Sequence, residues 1–244
     1  MDDAPNSEHF TLTPIGYVVS DYPDKFGIPR QPGLAPAANA RLVLTAPYND
    51  PLAVRGLEAF SHLWLSFIFH QSPERWSPLV RPPRLGGNRK IGVFASRSTH
   101  RPNRLGLSLV KIAGIDTQHG VTLQLQGCDL VSGTPVVDIK PYLPWAESHP
   151  HARAGFAPHA PTLMDVVFHP QALETLTKRQ DSATLYALIE QVLGQDPRPA
   201  YKQKETHSER LYGVRLRDVD VKFRPYPNNE ATTLEVMAVE PYAE

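Results

Sequence analysis

The residues best suited to chemistry are the basic side chains between Arg75 and Ile115. These 41 positions hold nine Lys or Arg residues and no Asp or Glu. Arginine, with seven of the nine, binds phosphates and carboxylates through its forked guanidinium and stacks on bases. A run of charge usually marks a solvated surface, but this arginine content, with Trp76 and Phe94 nearby, favours a phosphate-bearing or nucleic-acid partner. The nine are Arg75, Arg81, Arg84, Arg89, Lys90, Arg97, Arg101, Arg104 and Lys111.

Within this basic segment, residues 91–110 run from an apolar strand through an arginine loop into a second apolar strand. No fold needs so many donors between two strands, and each one left buried and unpaired would cost about 1–3 kcal/mol. A bound anion, carboxylate or nucleotide would satisfy them. Ser96, Ser98 and His100 also supply a nucleophile and a base, but without a nucleophile elbow or an obvious third member a hydrolase is the weaker interpretation.

A second candidate site follows at Asp129 and Asp138, in the stretch DLVSGTPVVDIKPY. Asp129 could lie in an ordinary turn and Asp138 in an ordinary salt bridge. In the functional interpretation, the two carboxylates face the arginine loop and hold an amine or a ribose hydroxyl. The spacing alone leaves both interpretations open.

Metal and phosphate-loop chemistry find little support. Cys128 is the only cysteine, which excludes an intramolecular disulfide and a multi-cysteine zinc site and is typical of a reducing compartment. The histidines, among them His149 and His151, form no closed ligand set, so we predict no metal. The glycine loop of residues 84–89 is neither a phosphate-binding loop nor a dinucleotide fingerprint.

Composition sets the class of protein. The 244 residues balance 25 basic against 25 acidic side chains, but the charges are segregated, because the first 24 residues hold five acids and no Lys or Arg. The N-terminal sequence is the opposite of a signal peptide. The longest apolar run, Leu63 to Phe69, is far too short to span a membrane. We therefore expect a soluble, cytoplasmic protein with no membrane contact.

The elements that must hold these residues are mainly strands. Short runs rich in Val, Ile, Leu and aromatics alternate with Gly, Pro and Asn clusters, and only residues 52–60 read as a helix. So few helices argue for an antiparallel β-barrel or sandwich, since parallel strands need crossovers. The predicted strands are Ile15–Ser20, Arg41–Thr45, Leu63–Phe69, Ile91–Ala95, Ser108–Asp116, Val121–Gln126 and Val136–Lys140.

Beyond the proline-rich residues 141–161 the pattern becomes α+β, so we place a domain boundary near residues 150–160. Apolar spacing predicts one helix there, and alternation predicts strands. The predictions are a strand at Leu163–Phe168, a helix at Gln171–Leu193, a strand at Gly213–Phe223 with a bulge at Asp218, a turn at Pro227-Asn228-Asn229 and a strand at Thr232–Val239.

These motifs resemble those of the TrmO (YaeB/TsaA-like) family of tRNA methyltransferases, and the resemblance covers nearly the whole chain. Members methylate N6 of threonylcarbamoyl-adenosine at tRNA position 37 with S-adenosylmethionine. The matching stretches are Lys25–Gly33, Val54–Trp64, Arg81–Gly87, Ser98–Gly106, Gly133–Tyr142 and Gln195–Tyr201.

The resemblance implies a mainly β protein that works as a homodimer. Residues 10–155 would form a TsaA-like antiparallel β-barrel that binds the cofactor, and residues 156–244 a smaller α+β domain. It also explains why the glycine fingerprint of a Rossmann-type methyltransferase is missing. The cofactor-binding residues it implies are Gln31, Pro32, Gly33, His70, Gln71, Arg97, Leu107, Asp129, Leu130, Val131 and Ser132.

For the tRNA anticodon loop and the threonyl carboxylate we predict four arginines, Arg84, Arg89, Arg101 and Arg104. The catalytic base is left unassigned, because His100 stands where relatives carry other residues. Two alternatives stay open at this stage. The chain could be a non-catalytic RNA-binding module, or the arginine loop could bind or hydrolyse a small acidic metabolite.

Overall fold

A computed structural model describes residues 10–199, 202–203, 208–228 and 231–242. Its first half is a closed barrel of six strands in the order β1-β2-β7-β6-β3-β8, with every neighbouring pair antiparallel. The predicted mainly β class with an antiparallel barrel is therefore confirmed. The barrel strands are β1 (Gly16–Ser20), β2 (Asn39–Leu44), β3 (His62–Ile68), β6 (Leu105–Asp116), β7 (Thr122–Gln126) and β8 (Pro135–Pro141).

Alternation along these strands fills the barrel. In β3, Leu63, Leu65 and Phe67 are buried and their neighbours are only partly covered. They pack with Leu42, Leu123 and other apolar side chains in one core, because successive residues of a strand point to opposite faces. The same alternation lets the outward-facing residues of β6 and β8 present polar groups without disturbing the core.

Two predictions in this half are wrong. The segment 52–60 forms no α-helix but two 3₁₀ turns, Pro51–Val54 and Leu57–Ala59, because Gly56 between them adopts φ of 88° and interrupts the helical path. The predicted strand 91–95 shortens to β5 (Ile91–Gly92), which pairs with β4 (Leu79–Val80) outside the barrel. Residues 93–95 then turn as a 3₁₀ helix.

The second half places helices against a four-stranded sheet of order β10-β11-β12-β9, in which only the β12–β9 pair is parallel. Its helical and strand side chains share a separate core, with Leu188, Val221 and Phe223 fully buried. A further short helix, α1 (Pro144–Glu147), lies between the two halves of the chain. The remaining elements are β9 (Val166–Phe168), α2 (Pro170–Thr177), α3 (Ser182–Leu193), β10 (Tyr212–Leu216), β11 (Val219–Asn228) and β12 (Ala231–Pro241).

Short turns divide two of the predicted elements here. The helix predicted over 171–193 is two helices, and the connection between them contains a salt bridge of 2.8 Å between Arg179 and Asp181. The bulge predicted at Asp218 is instead a two-residue turn, with Arg217 at φ of 53° and Leu216 opposite Val219. In the predicted turn at 227–229, Pro227 and Asn228 belong to β11 and Asn229 lies outside the described residues.

The two halves meet along residues 21–38, which connect β1 to β2. Tyr22, Ala35 and Ala38 are buried in the core of the second half. Polar contacts add to this packing, since the Ala37 N–H donates to the Gln191 side chain at 2.7 Å and Asp21 pairs with Arg217 at 3.1 Å. These contacts join the two halves of the chain. The domain division predicted between residues 155 and 156 stays a prediction.

Within the described residues, no helix has the length and apolar character needed to cross a bilayer.

Candidate functional site

The candidate site lies at one end of the barrel, where β6 begins and β7 ends. A backbone hydrogen bond of 2.8 Å from Gly33 N–H to the Gly127 carbonyl joins the loop carrying Gln31, Pro32 and Gly33 to the exit of β7. Both glycines have positive φ, and a Cβ at Gly127 would lie 3.2 Å from the Gly33 Cα. The close approach therefore depends on two glycines, and it places the Gln31–Gly33 loop beside Asp129.

Asp129 is the chemical centre of this end. It accepts a hydrogen bond from the Ser108 hydroxyl, which is fully buried on β6. Burial raises the pKa of the Asp129 carboxyl to about 6, against the opposing effects of the Ser108 hydrogen bond and the Arg97 charge. A carboxyl shifted toward neutrality in this way is often part of a functional site.

Arg97 and Leu107 meet next to this carboxyl. The Arg97 guanidinium donates to the Leu107 carbonyl at 3.4 Å, and Leu107 directly precedes Ser108 on β6. The Asp129 carboxylate and the Arg97 guanidinium, two groups of opposite charge, thus lie at the same end of the barrel. A buried carboxylate suits an ammonium or a hydroxyl, and a guanidinium suits a carboxylate.

The loop after β7 is held in place by its backbone. The Ser20 hydroxyl donates to the Leu130 carbonyl at 2.7 Å, the Ser132 N–H to the Tyr22 carbonyl at 2.8 Å, and the Thr134 hydroxyl to the Val131 carbonyl at 2.6 Å. Leu130 and Ser132 are therefore held against β1 and the segment that follows it, and Val131 is held within the loop itself.

His70 and Gln71 approach this loop from β3. A Cβ at Gly133 would lie 3.9 Å from the His70 Nε2, and Lys25 donates to the Gln71 carbonyl at 2.9 Å. The structure thus brings the sequence-predicted cofactor residues together from several separate segments of the chain. Their assignment to a cofactor remains a prediction.

The four predicted substrate arginines lie on two separate loops. Arg84 follows Pro83 in a 3₁₀ turn and is exposed, as is Arg89. Arg101 is partly covered, donates to the Ser96 carbonyl at 3.0 Å, and lies 5.8 Å from the centre of the Phe94 ring. Arg104 has φ of 51° and lies 3.7 Å from Glu74.

The hydrogen bonds of Ser96, Ser98 and His100 do not support the hydrolase alternative. The Ser96 hydroxyl donates to the Val93 carbonyl at 2.8 Å, and the Ser98 hydroxyl accepts from the His100 backbone N–H at 3.1 Å. The His100 ring instead faces the Thr99 hydroxyl at 3.2 Å. In the described part of the chain, neither serine hydroxyl is hydrogen-bonded to the imidazole that would have to activate it.

The sequence did not identify Ser108 as a site residue, and it suggested a ligand-binding role for Asp138 that the position of Asp138 does not support. The signal for Ser108 was its position as a lone hydroxyl inside the apolar strand β6, because a buried hydroxyl needs a partner. Asp138 is exposed on β8, and its carboxylate accepts the neighbouring Ile139 N–H at 2.9 Å. Only the first of the two carboxylates is placed to serve a buried site.

Comparison with known proteins gives a consistent result across the chain. A family model described as the tRNA-methyltransferase O N-terminal domain matches residues 17–148, and the TrmO C-terminal domain model matches residues 161–242. The tRNA (adenine(37)-N6)-methyltransferase of Escherichia coli K12 is 51% identical over 238 residues, covering 95% of this chain and 98% of that one.

Two further likenesses extend this result. RcsF of Pseudomonas aeruginosa, whose name places it among S-adenosylmethionine-dependent methyltransferases, is 49% identical over 223 residues, covering 89% of this chain and 93% of its own. A crystal structure of TrmO from P. aeruginosa superposes with a TM-score of 0.80 at 40% identity, covering 98% of this chain and all of that one.

Proposed function

This chain belongs to the tRNA-methyltransferase O family, and from that premise we propose that it transfers the methyl group of S-adenosylmethionine to N6 of adenine 37 of tRNA. The observation that carries the proposal is the buried Asp129 carboxyl beside Ser108 and Arg97, at a barrel end bordered by the basic segment. The relatives named above supply the reaction class, and this geometry supplies complementary groups for its cofactor and substrate.

The residues present fit S-adenosylmethionine. The molecule carries an ammonium, a carboxylate and ribose hydroxyls, and when bound it supplies an electrophilic methyl group. Asp129 would hold the ammonium or a hydroxyl, and Arg97 would hold the carboxylate. On this proposal, backbone of the segments at Gly33 and Leu130, which the hydrogen bonds described above hold in place, would contact the adenine edge.

The protein's main contribution is alignment. Methyl transfer needs the acceptor nitrogen in line with the bond that breaks, and holding the two reactants in that geometry removes much of the entropic barrier. The barrel end suits this task, because Ser108 lies in the barrel wall opposite Leu65 of β3, and Gly127, which contacts Gly33, directly follows β7. On this proposal, the cofactor site is built on strands and the arginine loop holds the acceptor.

We propose further that the acceptor is threonylcarbamoyl-adenosine in the anticodon loop. Its N6 carries a carbonyl substituent, so its proton leaves more readily than that of plain adenosine, and a modest base or the substrate's own carboxylate suffices. Arg101 and Arg104 lie on the loop between Arg97 and Leu107, which hydrogen-bond to each other, and would hold the threonyl carboxylate. Arg84 and Arg89 would contact phosphates of the tRNA. We propose in addition that the protein works as a homodimer in the cytoplasm.

A methyl-transfer assay tests the substrate. The purified protein is given S-adenosylmethionine and tRNA with or without the threonylcarbamoyl group, and N6-methylation is measured by mass spectrometry of the digested nucleosides. Methylation of the modified tRNA alone is expected. Equal methylation of both would overturn the threonylcarbamoyl assignment, and absence of methylation with either would overturn the proposed activity.

Isothermal titration with S-adenosylmethionine tests the cofactor independently. The enzyme should bind it, Asp129→Ala should weaken binding strongly, and Asp138→Ala, an exposed carboxylate on the same stretch of chain, should leave binding unchanged. A protein that binds tRNA but not the cofactor would instead be the RNA-binding module considered above.

A further inference from the structure

An open groove of about 780 Å³ lies beside the arginine loop, on the side of the barrel where β4 and β5 pair. One wall is formed by Pro73 and residues 75–81, and the other by Lys90, Ser98 and His100. His100 directly precedes Arg101, so the groove opens next to the loop assigned above to the acceptor. The cofactor residues and the four arginines predicted from the sequence are not among its lining side chains.

The groove has a fixed backbone. Leu79 pairs with Gly92 and Val80 with Ile91, and the Val93 N–H donates to the Pro78 carbonyl at 2.9 Å. These contacts hold the segment without burying its side chains, and Trp76 stays 46% exposed. An exposed tryptophan on an ordered wall is a ready surface for stacking.

Charge identifies the kind of partner. Arg75, Arg81 and Lys90 line the groove, and none of the lining residues among the described ones is acidic. The neighbouring Glu74 points to Arg104, with a separation of 3.7 Å. An aromatic face bordered by cations is how proteins bind unpaired nucleotides, with the base on the ring and the phosphates on the basic side chains.

We propose that this groove binds an unpaired nucleotide of the tRNA substrate, with its base stacked on Trp76 and its phosphates contacted by Arg75, Arg81 and Lys90. The inference rests on the proposed function, because it places a second nucleotide beside the one that is methylated. The groove borders the arginine loop through His100 and Ser98, so one strand of the anticodon loop continues from the methylation site into it.

The first test is the affinity of Trp76 variants for the tRNA substrate. Trp76→Ala should weaken tRNA binding about tenfold, in line with the loss of one stacked base, whereas Trp76→Phe should retain most of the affinity. Affinity for S-adenosylmethionine should not change in either variant. Trp145→Ala is the matched control, because Trp145 is 85% exposed outside the groove. Wild-type tRNA affinity in Trp76→Ala would overturn the proposal.

A second test separates this inference from the proposed activity. In a Trp145→Phe background, which keeps Trp64 and Trp76, a short single-stranded oligoribonucleotide should quench part of the tryptophan fluorescence, and an RNA duplex of equal length should not. The quenching should be lost when Trp76→Phe is added, because Trp64 then remains as the sole tryptophan. Arg81→Ala should lower the salt dependence of single-strand binding by about 0.7 in the log–log slope. If the oligoribonucleotide quenches the fluorescence but the protein methylates no tRNA, the proposed activity is refuted and nucleotide binding in the groove is supported.

Two outcomes of these measurements refute the groove while the activity stands. One is efficient methylation of tRNA with no effect of Trp76→Ala on binding or turnover. The other is binding of polyglutamate that depends on Trp76, with no binding of single-stranded RNA, which would assign the groove to an acidic peptide.

Discussion

The arginines of the basic segment and those of the second half of the chain face different surroundings. In the second half, five arginines each lie within 4.0 Å of at least one carboxylate, namely Arg179, Arg198, Arg215, Arg217 and Arg224. In the basic segment, Arg104 alone forms a salt bridge with a described residue, and Arg97 and Arg101 donate to backbone carbonyls. The same residue type stabilises the fold in one region and stays available for a ligand in the other.

The carboxylates show the same contrast. Asp181 receives hydrogen bonds from Arg179 and Arg217, and the first of these holds the pKa of its carboxyl below the usual range. Asp129 has a serine hydroxyl as its closest partner, and burial raises its pKa to about 6. A paired carboxylate stabilises the folded chain, whereas a buried one without a bonded cation is held ready for a cationic or hydroxyl group of a ligand.

The largest expected effect is the loss of a paired arginine from the interior. The Arg198 side chain is 0% exposed and donates to both oxygens of Asp196 at 2.7 and 2.9 Å. Arg198→Ala should lower the free energy of unfolding by about 3–5 kcal/mol, because it leaves a buried carboxylate without its partner. Urea denaturation measures this effect.

The control for Arg198 removes both charges. Asp196→Asn combined with Arg198→Met should recover much of the lost stability, since the buried Asp196 carboxylate that Arg198→Ala leaves without its partner is then absent. If Arg198→Ala unfolds at the wild-type urea concentration, the paired arginines of the second half are not structural and the comparison fails.

A smaller loss is expected at the contact between the two halves. Arg217 donates to Asp21 at 3.1 Å and to Asp181 and Thr184 at 3.0 Å each. Arg217→Ala should lower the free energy of unfolding by about 2 kcal/mol, the range for hydrogen bonds to charged groups. Lys178→Ala, which removes an exposed helical pair with Glu174, should leave the free energy of unfolding close to that of the wild type. Equal losses in the two variants would contradict a special role for the Arg217 contact.

The contrast between Asp129 and Asp181 predicts a pH dependence of cofactor binding. Below about pH 6 the Asp129 carboxyl is mostly protonated and cannot hold a cation. Affinity for S-adenosylmethionine should therefore rise about tenfold from roughly pH 5 to roughly pH 7, which is the change expected for a group ionising near pH 6. Calorimetric titration across this range measures it.

The stability of the folded chain should change in the opposite direction. The folded protein holds the Asp129 proton more tightly than the unfolded chain, so this carboxyl stabilises the fold at low pH and the contribution is lost as pH rises through about 6. In Asp129→Asn both pH dependences should disappear. A cofactor affinity that rises equally in Asp129→Asn would assign the dependence to another group.

The sequence predicted an antiparallel barrel or sandwich because its first half holds many short apolar strands and little helix. Leu63, Leu65 and Phe67 occupy alternate positions of the predicted strand Leu63–Phe69, and all three are buried. The sequence could not predict where a turn with polar side chains divides a predicted helix or strand. At the break between α2 and α3, Arg179 pairs with Asp218, which lies 39 residues away, and no local pattern contains that contact.

The candidate site divides in the same way. The arginine loop and Asp129 stand out from residue type and spacing, but the meeting of Gly33 with Gly127 and of Ser108 with Asp129 depends on strand register. The acidic N-terminal charges illustrate the limit most clearly. Asp21 and Asp24 pair with Arg217 and Arg215 of the second half, so the segregation seen along the sequence is partly undone in the fold.

The smallest effect on stability is expected where the arginines are free, and it tests the comparison from its other side. Arg89 is exposed and, within the described residues, forms neither a salt bridge nor a hydrogen bond. Arg89→Ala should leave the free energy of unfolding within about 0.5 kcal/mol of the wild type, yet it should weaken tRNA binding and lower the salt slope of that binding by about 0.7 to 0.9. Arg41 is an exposed arginine on β2, outside the basic segment. Arg41→Ala should change neither the tRNA affinity nor its salt slope. A tRNA affinity that is flat with ionic strength in the wild type would show that the free arginines do not face the phosphate backbone at all.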